Sequence, residues 1–360
     1  MRVAVTLEQL WHRVPGGTAR ATLDAVAAVA QRGDVEQVGV SARHAHPPPA
    51  EWAAPIEVRA LPLPRLLLYD AWQRLRAPVV ERATGPVDLV HATAHVAPAA
   101  RAPWVATVHD LHFLHEPGHF TRRGISVFRR FLALAREEAA LVLCPSEATR
   151  ADCVAAGIDE GRLRVVPWAT HRPPVGAEEV DRVRRIHGLD RPFVFFSGTV
   201  EPRKNLGRLL QAFDRLDPID ADLVLVGPEG WREDLPPTRA RRLGFVPRAD
   251  LDALYAAAAV VCYPSLREGF GLPVLEAMAQ GAAVVTSATT ATAEVAGGAG
   301  VLVDPLDVDD IAAALERLLG DPDERARLGR AARERAATFT WARTAEATVG
   351  AYRDALGDRS

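Results

Sequence analysis

Lysine and asparagine are almost absent from this chain of 360 residues. Of its 43 basic residues only Lys204 is a lysine, and the single asparagine is the next residue, Asn205. Arginine supplies every other positive side chain, so a function that requires a lysine can use only this one. The pair therefore marks a candidate site before any other pattern is considered.

Cysteine and long apolar runs are also scarce. The three cysteines, Cys144, Cys153 and Cys262, are too few and too scattered for a disulfide framework or a zinc site. No run of 18 apolar residues predicts a membrane-spanning helix, and the first residues do not resemble a signal peptide, so we expect a cytoplasmic protein. A net charge of −3 argues against a nucleic-acid-binding protein that relies on bulk positive charge.

Short apolar runs alternate with helical patterns along the chain, which is typical of α/β domains with parallel sheets. A length of 360 residues predicts two domains at the usual size of about 100–200 residues each. Residues 170–192 begin with polar and proline residues and are interpreted as a linker and the first helix of the second domain. We expect two doubly wound, Rossmann-like domains that face each other across a cleft. The predicted parts are an N-terminal domain (1–170), a C-terminal domain (171–340) and a helix that docks back on the first domain (341–358).

The first motif, S-G-T-V-E-P-R-K-N at residues 197–205, lies between an apolar strand and a helix. Gly198 would let the backbone approach a ligand closely. Arg203 and Lys204 place two cations near a helix N-terminus, where free N–H groups and the helix dipole favour an anion. A planar guanidinium and a compact ammonium together suit a diphosphate, and the sole lysine favours this over a solvated basic turn.

The second motif, C-Y-P-S-L-R-E-G-F-G-L-P-V-L-E-A at residues 262–277, joins a strand to a helix through a glycine loop. Pro273 suits the first residue of that helix. Glu268 precedes the helix and Glu276 is expected in its first turn, so both carboxylates can reach one ligand and accept sugar or ribose hydroxyls. The alternative is that Glu276 only complements the helix dipole and that Glu268 is exposed.

Taken in this order, the two motifs resemble the family-four retaining glycosyltransferases of the GT-B fold. The likeness covers nearly the whole chain, is densest between Phe193 and Pro305, and includes V-H-D-L-H-F-L-H-E-P in the first half. The resemblance implies a hexosyltransferase of polysaccharide biosynthesis with two Rossmann-like domains. Its donor substrate would be a nucleoside-diphosphate sugar and its acceptor a glycan or a lipid-linked sugar, with no cofactor, no metal and no nucleic acid.

The resemblance also assigns roles to individual residues of the second half. It implies that Arg203 and Lys204 bind the donor diphosphate, that Glu276 holds the ribose, and that Glu268 accepts a hydroxyl of the donor sugar. Backbone N–H groups of the glycine loop are implied to face the sugar and the phosphate. The predicted donor-binding residues are Gly17, Gly198, Arg203, Lys204, Phe270, Gly271, Leu272 and Glu276, and the predicted catalytic residues are His109, Glu268, Arg203 and Lys204.

Two features of the first half complete the predicted site. A Gly-Gly pair at Gly16 and Gly17 follows the first strand, and the resemblance favours Gly17 as a donor contact over an ordinary tight turn. His109 ends the apolar run P-W-V-A-T-V, and the resemblance implies that it contacts the donor sugar near the reacting centre. The alternative for His109 is a structural histidine.

Two other groups of residues raise the question of a metal site. His112, His115 and His119 lie close together in sequence, but no acid–histidine pattern of a known zinc site accompanies them. Asp307 and Asp309 precede an apolar helix, where helix capping is the simpler explanation. We therefore expect a metal-independent reaction, in which cations and helix termini stabilise the charge on the leaving diphosphate.

The sugar and the acceptor are less well specified by the sequence. The segment H-D-L-H-F-L-H-E-P is most similar to the mannosyltransferase branch, which suggests GDP-mannose as the donor. Residues 168–171 and 287–294 depart from the usual family pattern, which leaves the specificity open. A helix over 121–141 carries arginines on one side and could contact an anionic membrane that presents a lipid-linked acceptor. The alternative is an ordinary amphipathic helix that packs on the sheet.

Other function classes fit the sequence less well. A dinucleotide dehydrogenase requires G-x-G-x-x-G after a strand, and none is present at such a place. A pyridoxal-phosphate phosphorylase requires a lysine that forms a Schiff base with the cofactor, and the only lysine lies in the first motif. A non-enzymatic nucleotide-sugar-binding module and a sugar-nucleotide epimerase of GT-B fold remain the alternatives. A geometric reason is suggested for the retained lysine, because a small ammonium fits between diphosphate oxygens where a second guanidinium would not.

Overall fold

The structure is a computed structural model that describes residues 1–12, 16–216, 219–228 and 238–357. The chain divides into two compact units. The first unit comprises Met1–Ala169 together with the C-terminal segment from Thr340, and the second comprises Thr170–Phe339. Both boundaries lie one residue before those of the sequence prediction, and residue 358 of the predicted terminal helix lies outside the described residues.

Strands and helices alternate along both units. The strands are β1 (Arg2–Thr6), β2 (Glu36–Ser41), β3 (Val58–Ala60), β4 (Leu89–Ala92), β5 (Trp104–Thr107), β6 (Leu141–Cys144), β7 (Leu163–Val165), β8 (Phe193–Ser197), β9 (Asp222–Val226), β10 (Arg241–Gly244), β11 (Val260–Tyr263), β12 (Val284–Ser287) and β13 (Val301–Val303). The helices are α1 (Gly16–Arg32), α2 (Arg65–Arg74), α3 (Glu81–Thr84), α4 (His112–His115), α5 (Arg122–Glu138), α6 (Glu147–Ala155), α7 (Ala177–His187), α8 (Leu206–Asp214), α9 (Arg248–Ala257), α10 (Leu272–Ala279), α11 (Ala291–Ala296), α12 (Val308–Gly320), α13 (Pro322–Ala336) and α14 (Trp341–Ala355).

The sheet of the first unit has seven strands over the described residues, in the order β3-β2-β1-β4-β5-β6-β7, and every pairing is parallel. Strands such as β4 and β6 are wholly buried, because helices cover both faces of a parallel sheet and favour continuous apolar runs. The chain winds from β1 to β3 on one side and then returns to β4 on the other. The topology is therefore doubly wound, as predicted.

The C-terminal helix α14 belongs to the first unit, where it packs on α1. Its buried residues Trp341, Ala345, Val349 and Tyr352 recur at helical spacing along one face. The Tyr352 hydroxyl lies 2.8 Å from Nδ1 of His91 on β4, so a polar contact inside the core joins the helix to the sheet.

The sheet of the second unit has six strands over the described residues, in the order β10-β9-β8-β11-β12-β13, again parallel throughout. Its central strand β8 consists of Phe193–Ser197 and is fully buried. Helix α8 buries an apolar face and packs on α12. Both sheets are parallel and alternate with helices along the chain, which confirms the expectation of two parallel-sheet, Rossmann-like domains.

The first half differs from the sequence prediction in two respects. Strands β2 and β3 were not predicted, because E-Q-V-G-V-S carries a polar start and a glycine, and β3 is a three-residue edge strand. A 3₁₀ helix at Glu8–Trp11 also follows β1, so the glycine pair does not come directly after the strand. In the part of the chain that is described, no helix is long and apolar enough to cross a membrane.

Candidate functional site

The two sequence motifs of the second unit follow adjacent strands. The loop after β8 carries the Arg-Lys-Asn sequence, and the loop after β11 carries the glycine-rich sequence. Strands β8 and β11 pair in parallel, while the chain leaving β8 first continues to β9 on the opposite side. Both loops therefore leave the carboxyl edge of the sheet at its topological switch point, where open α/β sheets bind their ligands.

Lys204 is buried between these two loops. It ends a 3₁₀ helix, Pro202–Lys204, and its side chain is 8% exposed. The ammonium Nζ donates to the Tyr263 hydroxyl at 2.5 Å and to Oε1 of Glu268 at 2.6 Å. It also lies 4.9 Å from the centre of the Tyr263 ring, a cation–π distance. Burial and the neighbouring Arg203 lower the pKa of Lys204, and Glu268 opposes this by favouring the charged amine.

Glu268 links the two cations of the first motif. Its Oε2 accepts from Nη1 of Arg203 at 3.0 Å, and Arg203 Nε donates to Glu201 at 2.8 Å. Burial alone would raise the pKa of Glu268, but Lys204 and Arg203 outweigh it and hold the pKa below its usual value. The alternative in which Glu268 is exposed is therefore wrong, since its side chain is 8% exposed. Two carboxylates balance the two cations, so the motif is not a simple positive patch.

Asn205 holds the motif to the rest of the unit. Its backbone is left-handed, with φ of +61°, a conformation that asparagine tolerates better than most residues. The side-chain amide donates to the carbonyl oxygens of Pro264 at 2.9 Å and Pro305 at 2.6 Å. The single asparagine thus combines a strained backbone position with two buried hydrogen bonds. The sequence shows the position of Asn205 but not this role, because both carbonyl partners are distant in the chain.

The glycine loop brings backbone close to the start of α10. Gly271 has φ of +107°, and a Cβ added there would lie 2.7 Å from Thr292 Cγ2, so no other residue fits without displacement. Gly198 has φ of +149° at the end of β8. Phe270 is buried, with its ring centre 5.9 Å from that of Phe339. Leu272 begins α10, whose first N–H groups have no partner within the helix and can bind an anion.

Glu276 lies elsewhere on α10 than the sequence predicted. It is the fifth residue of the helix, and Pro273 is the second, so neither position matches the expected first turn and first residue. A carboxylate beyond the first turn gains little from the helix dipole. Its Oε1 instead accepts from Nη2 of Arg172 at 2.6 Å and from Nη2 of Arg248 at 3.4 Å. No local pattern of the sequence points to Arg172, because its contact with Glu276 spans 104 residues.

His109 lies in the first unit, just beyond β5, and is buried. Burial lowers its pKa, so the imidazole is neutral near pH 7. Nε2 lies 2.7 Å from the carbonyl oxygen of Thr93, which can only accept, so this nitrogen carries the proton. Nδ1 is then a buried acceptor with no hydrogen-bond partner among the described residues. The ring also packs near Trp168 and forms part of the wall of a cavity of about 40 Å³.

The structure also locates the predicted glycine pair, the predicted helix cap and the histidine group. Gly17 lies exposed in the first turn of α1, in the first unit. Asp307 caps α12 by accepting from the N–H groups of Asp309 and Asp310, which confirms the capping interpretation. His112 Nε2 lies 3.1 Å from His119 Nδ1, but the described residues contain no group of three or more potential metal ligands.

Comparison with known proteins places the chain among sugar-transferring enzymes. Residues 15–170 match the model of Glycosyltransferase Family 4, and residues 178–335 match that of Glycosyl transferases group 1. The chain is 33% identical over 266 residues to the O-antigen chain mannosyltransferase B of Escherichia coli, covering 69% of this chain and 70% of that protein. It is 48% identical over 210 residues to the MMP alpha-(1->4)-mannosyltransferase of Mycolicibacterium hassiacum, covering 53% and 50%. The crystal structure of Anabaena HepE in complex with UDP-glucose has a TM-score of 0.76 at 21% identity, covering 97% of this chain and 99% of that one.

Proposed function

Since this chain belongs to the group 1 glycosyltransferases and has their two parallel-sheet, Rossmann-like domains, we propose that it transfers mannose from GDP-mannose to a glycan or lipid-linked acceptor. The proposed reaction retains the anomeric configuration and requires no metal. Mannose is favoured because both relatives described above are named mannosyltransferases. HepE was crystallised with UDP-glucose, which makes UDP-glucose the comparison donor for any experiment.

One observation carries this proposal: Arg203, Lys204 and Glu268 share hydrogen bonds at the switch point of the second unit. The bond that breaks joins the sugar to a diphosphate, so negative charge develops on the leaving oxygens. Two prearranged cations and the N–H groups at the start of α10 are suited to stabilise that charge. The guanidinium of Arg203 is the more exposed of the two cations, so it can turn from its carboxylate partners to the diphosphate.

The other predicted residues take roles around this centre. Glu268 stays charged because of its cationic neighbours and can accept a hydroxyl of the donor sugar, while Glu276 is proposed to hold the ribose. The positive φ of Gly198 and Gly271 lets the two loops turn tightly, and their backbone N–H groups are proposed to face the donor. The proposed contact of His109 with the donor sugar near the reacting bond follows from the family resemblance. Because His109 is neutral, it would act through a hydrogen bond and not through its charge.

A retaining reaction raises the question of a nucleophile. We propose that the acceptor hydroxyl attacks from the face of the leaving diphosphate, and that the departing diphosphate takes up the hydroxyl proton. Glu268, the carboxylate that joins the two motifs, stays bound to the buried Lys204 through Oε1 even when Arg203 turns to the diphosphate. A carboxylate bound in this way is a poor nucleophile, which supports attack by the acceptor without a covalent enzyme intermediate.

The test is a donor panel followed by a turnover assay. Thermal shifts with GDP-mannose, UDP-glucose and ADP-glucose identify the nucleotide, and release of nucleoside diphosphate with and without EDTA measures turnover. We expect the largest shift with GDP-mannose, and release that is stimulated by a mannose-containing acceptor and unaffected by EDTA. Donor binding without release for any acceptor would indicate a binding module, and a new sugar-nucleotide isomer would indicate an epimerase.

Membrane contact forms a separate part of the proposal. The apolar side of α5 is turned inward, where Phe131 and Leu132 are buried, but helix α2 packs on α5 and leaves Leu66 and Leu67 53% and 56% exposed. We propose that these leucines and the exposed arginines contact an anionic bilayer that carries a lipid-linked acceptor. The arginines are Arg122, Arg123, Arg129 and Arg130.

Liposome flotation tests this contact. We expect binding to vesicles that contain phosphatidylglycerol, weaker binding to pure phosphatidylcholine, and loss of binding when Arg122 and Arg129 are both replaced by Glu. These two arginines are chosen because Arg123 and Arg130 bind Asp70 and the carbonyl of Gln73, so their replacement would also disturb α2. No flotation with either vesicle would remove the membrane from the proposal. The cytoplasmic location expected from the sequence stays a prediction.

A further inference from the structure

Arg172 is a buried cation that no sequence motif of the chain identified. Its side chain is 2% exposed, although it lies in an irregular segment before α7. It forms ion pairs with two carboxylates, Asp252 on α9 and Glu276 on α10. A buried arginine between two carboxylates is costly to desolvate and is retained only where its geometry is useful or fully compensated.

The backbone around Arg172 is fixed to the same helix that carries Glu276. Gln280, the C-cap residue directly after α10, accepts from the N–H of Val175 at 2.9 Å and donates to the carbonyl of Pro173 at 3.0 Å. The buried amide of Gln280 thus binds the segment after Arg172 twice, once as an acceptor and once as a donor. The guanidinium is therefore delivered to Glu276 from a segment attached to α10 itself.

The two oxygens of Glu276 have different surroundings. Both arginine contacts, at 2.6 Å from Arg172 and 3.4 Å from Arg248, reach Oε1. Among the described residues, both side-chain hydrogen bonds of Glu276 are accepted by Oε1, and none reaches Oε2. One oxygen is thus anchored and the other is left to accept a ligand hydroxyl, in a side chain that is 13% exposed.

We propose that Arg172 is a positioning residue, which orients the Glu276 carboxylate so that Oε2 accepts a hydroxyl of the nucleotide ribose. This inference rests on the proposed function, because it assumes that Glu276 is the ribose acceptor. Arg248 contacts the same oxygen at a longer distance and its side chain is 50% exposed, so it contributes little to the orientation. Asp252 holds the other side of the guanidinium and keeps it in place.

The test compares nucleotides that differ by one hydroxyl. Dissociation constants are measured for GDP, 2′-deoxy-GDP and 3′-deoxy-GDP, with the corresponding uridine nucleotides in parallel. We expect the wild-type protein to prefer the ribose nucleotide to one of its deoxy analogues by about tenfold or more, as for a hydroxyl bonded to a charged group. In Arg172→Met this preference should fall below about threefold, with the affinity for that deoxy analogue nearly unchanged. Arg172→Lys should restore part of it.

Two control variants separate positioning from folding. Arg248→Met removes a cation from the same oxygen and should keep the wild-type preference. Arg172→Met leaves Asp252 unpaired, so Arg172→Met combined with Asp252→Asn is measured too, with melting curves for each variant. In turnover, the KM for the donor should rise about tenfold while kcat changes less than about threefold, since the ribose is remote from the reacting bond.

The possible outcomes distinguish failure of this inference from failure of the proposed function. Equal weakening of the ribose and deoxy nucleotides in Arg172→Met would show a purely structural role and overturn the inference. A wild-type protein that binds ribose and deoxyribose nucleoside diphosphates equally would overturn the inference as well, because Glu276 would then not accept a ribose hydroxyl. Absence of any nucleoside-diphosphate binding by the wild-type protein would instead refute the proposed function.

Discussion

Replacement of Lys204 by arginine keeps the positive charge and changes only its shape. The ammonium fits a narrow position, 2.5 Å from the Tyr263 hydroxyl and 2.6 Å from Glu268, in a side chain that is 8% exposed. A guanidinium is larger and planar, and cannot make both contacts from the same backbone position without moving Tyr263. We therefore expect Lys204→Arg to lose activity although its charge is retained.

The magnitude follows from the hydrogen bond that Lys204 is proposed to donate to the diphosphate. Each hydrogen bond to a charged group contributes about 1.5–3 kcal/mol, which corresponds to about a tenfold to 150-fold change in rate if one such bond to the leaving diphosphate is lost. Lys204→Met removes the charge and should fall at the upper end of that range. Lys204→Arg should fall near the lower end, because the cation persists but is misplaced.

The assay is release of nucleoside diphosphate under donor saturation and at limiting donor, so that kcat and kcat/KM are obtained separately. Arg185→Met, an exposed cation on α7, serves as a control for the loss of one positive charge in the same unit. Melting curves exclude unfolding as the cause. Full activity of Lys204→Arg with an unchanged KM would refute the geometric reasoning, and the single lysine would then be a coincidence of composition.

Three further predictions concern residues around this centre and in the first unit. Tyr263→Phe removes one hydrogen bond from Lys204 but keeps the ring, so turnover should fall by about twofold to tenfold, measured as nucleotide release. His109→Ala should lower kcat at least about tenfold with little change in nucleotide affinity, and an unchanged kcat would leave His109 as a structural residue. Burial lowers the pKa of His91 to about 3, whereas a histidine in the unfolded chain has a pKa of about 6.5. As the pH falls from about 6.5 toward 3, the unfolded chain therefore binds a proton at His91 that the folded protein does not bind. The free energy of unfolding should therefore decline over that range by up to about 1.4 kcal/mol per pH unit. In melting curves between about pH 7 and 5, the stability of His91→Gln should decline less than that of His46→Gln, which replaces an exposed histidine and keeps His91.

Much of the fold could be predicted because it depends on local pattern. Five strands of the second unit, all except β10, are short apolar runs bounded by a glycine, proline or polar residue, and a buried parallel strand requires such a run. Helix α12 was placed correctly because Asp307 precedes an apolar periodic segment, which is a local capping signal. Strand β3 has no such pattern, since it gains its structure only by pairing with β2 at the sheet edge.

The candidate site divides in the same way. Arg203, Lys204 and Glu268 were identified from the order of residues within two motifs, and the structure joins them directly. Their burial and mutual neutralisation could not be predicted, because both depend on two loops that are about 60 residues apart in the chain and leave adjacent strands. Glu276 was identified as a candidate, but its partner Arg172 was not.

The sequence by itself determined the fold class, the family and the position of the two motifs that form the candidate site. These features depend on the spacing of residues within short stretches, which can be read directly from the sequence. Only the tertiary structure decided that Lys204 is buried against Tyr263, that Glu268 is ionised between two cations, and that Arg172 anchors one oxygen of Glu276. The reason is physical: hydrogen bonds and burial depend on distances in space, and the sheet topology brings together residues that no local pattern connects.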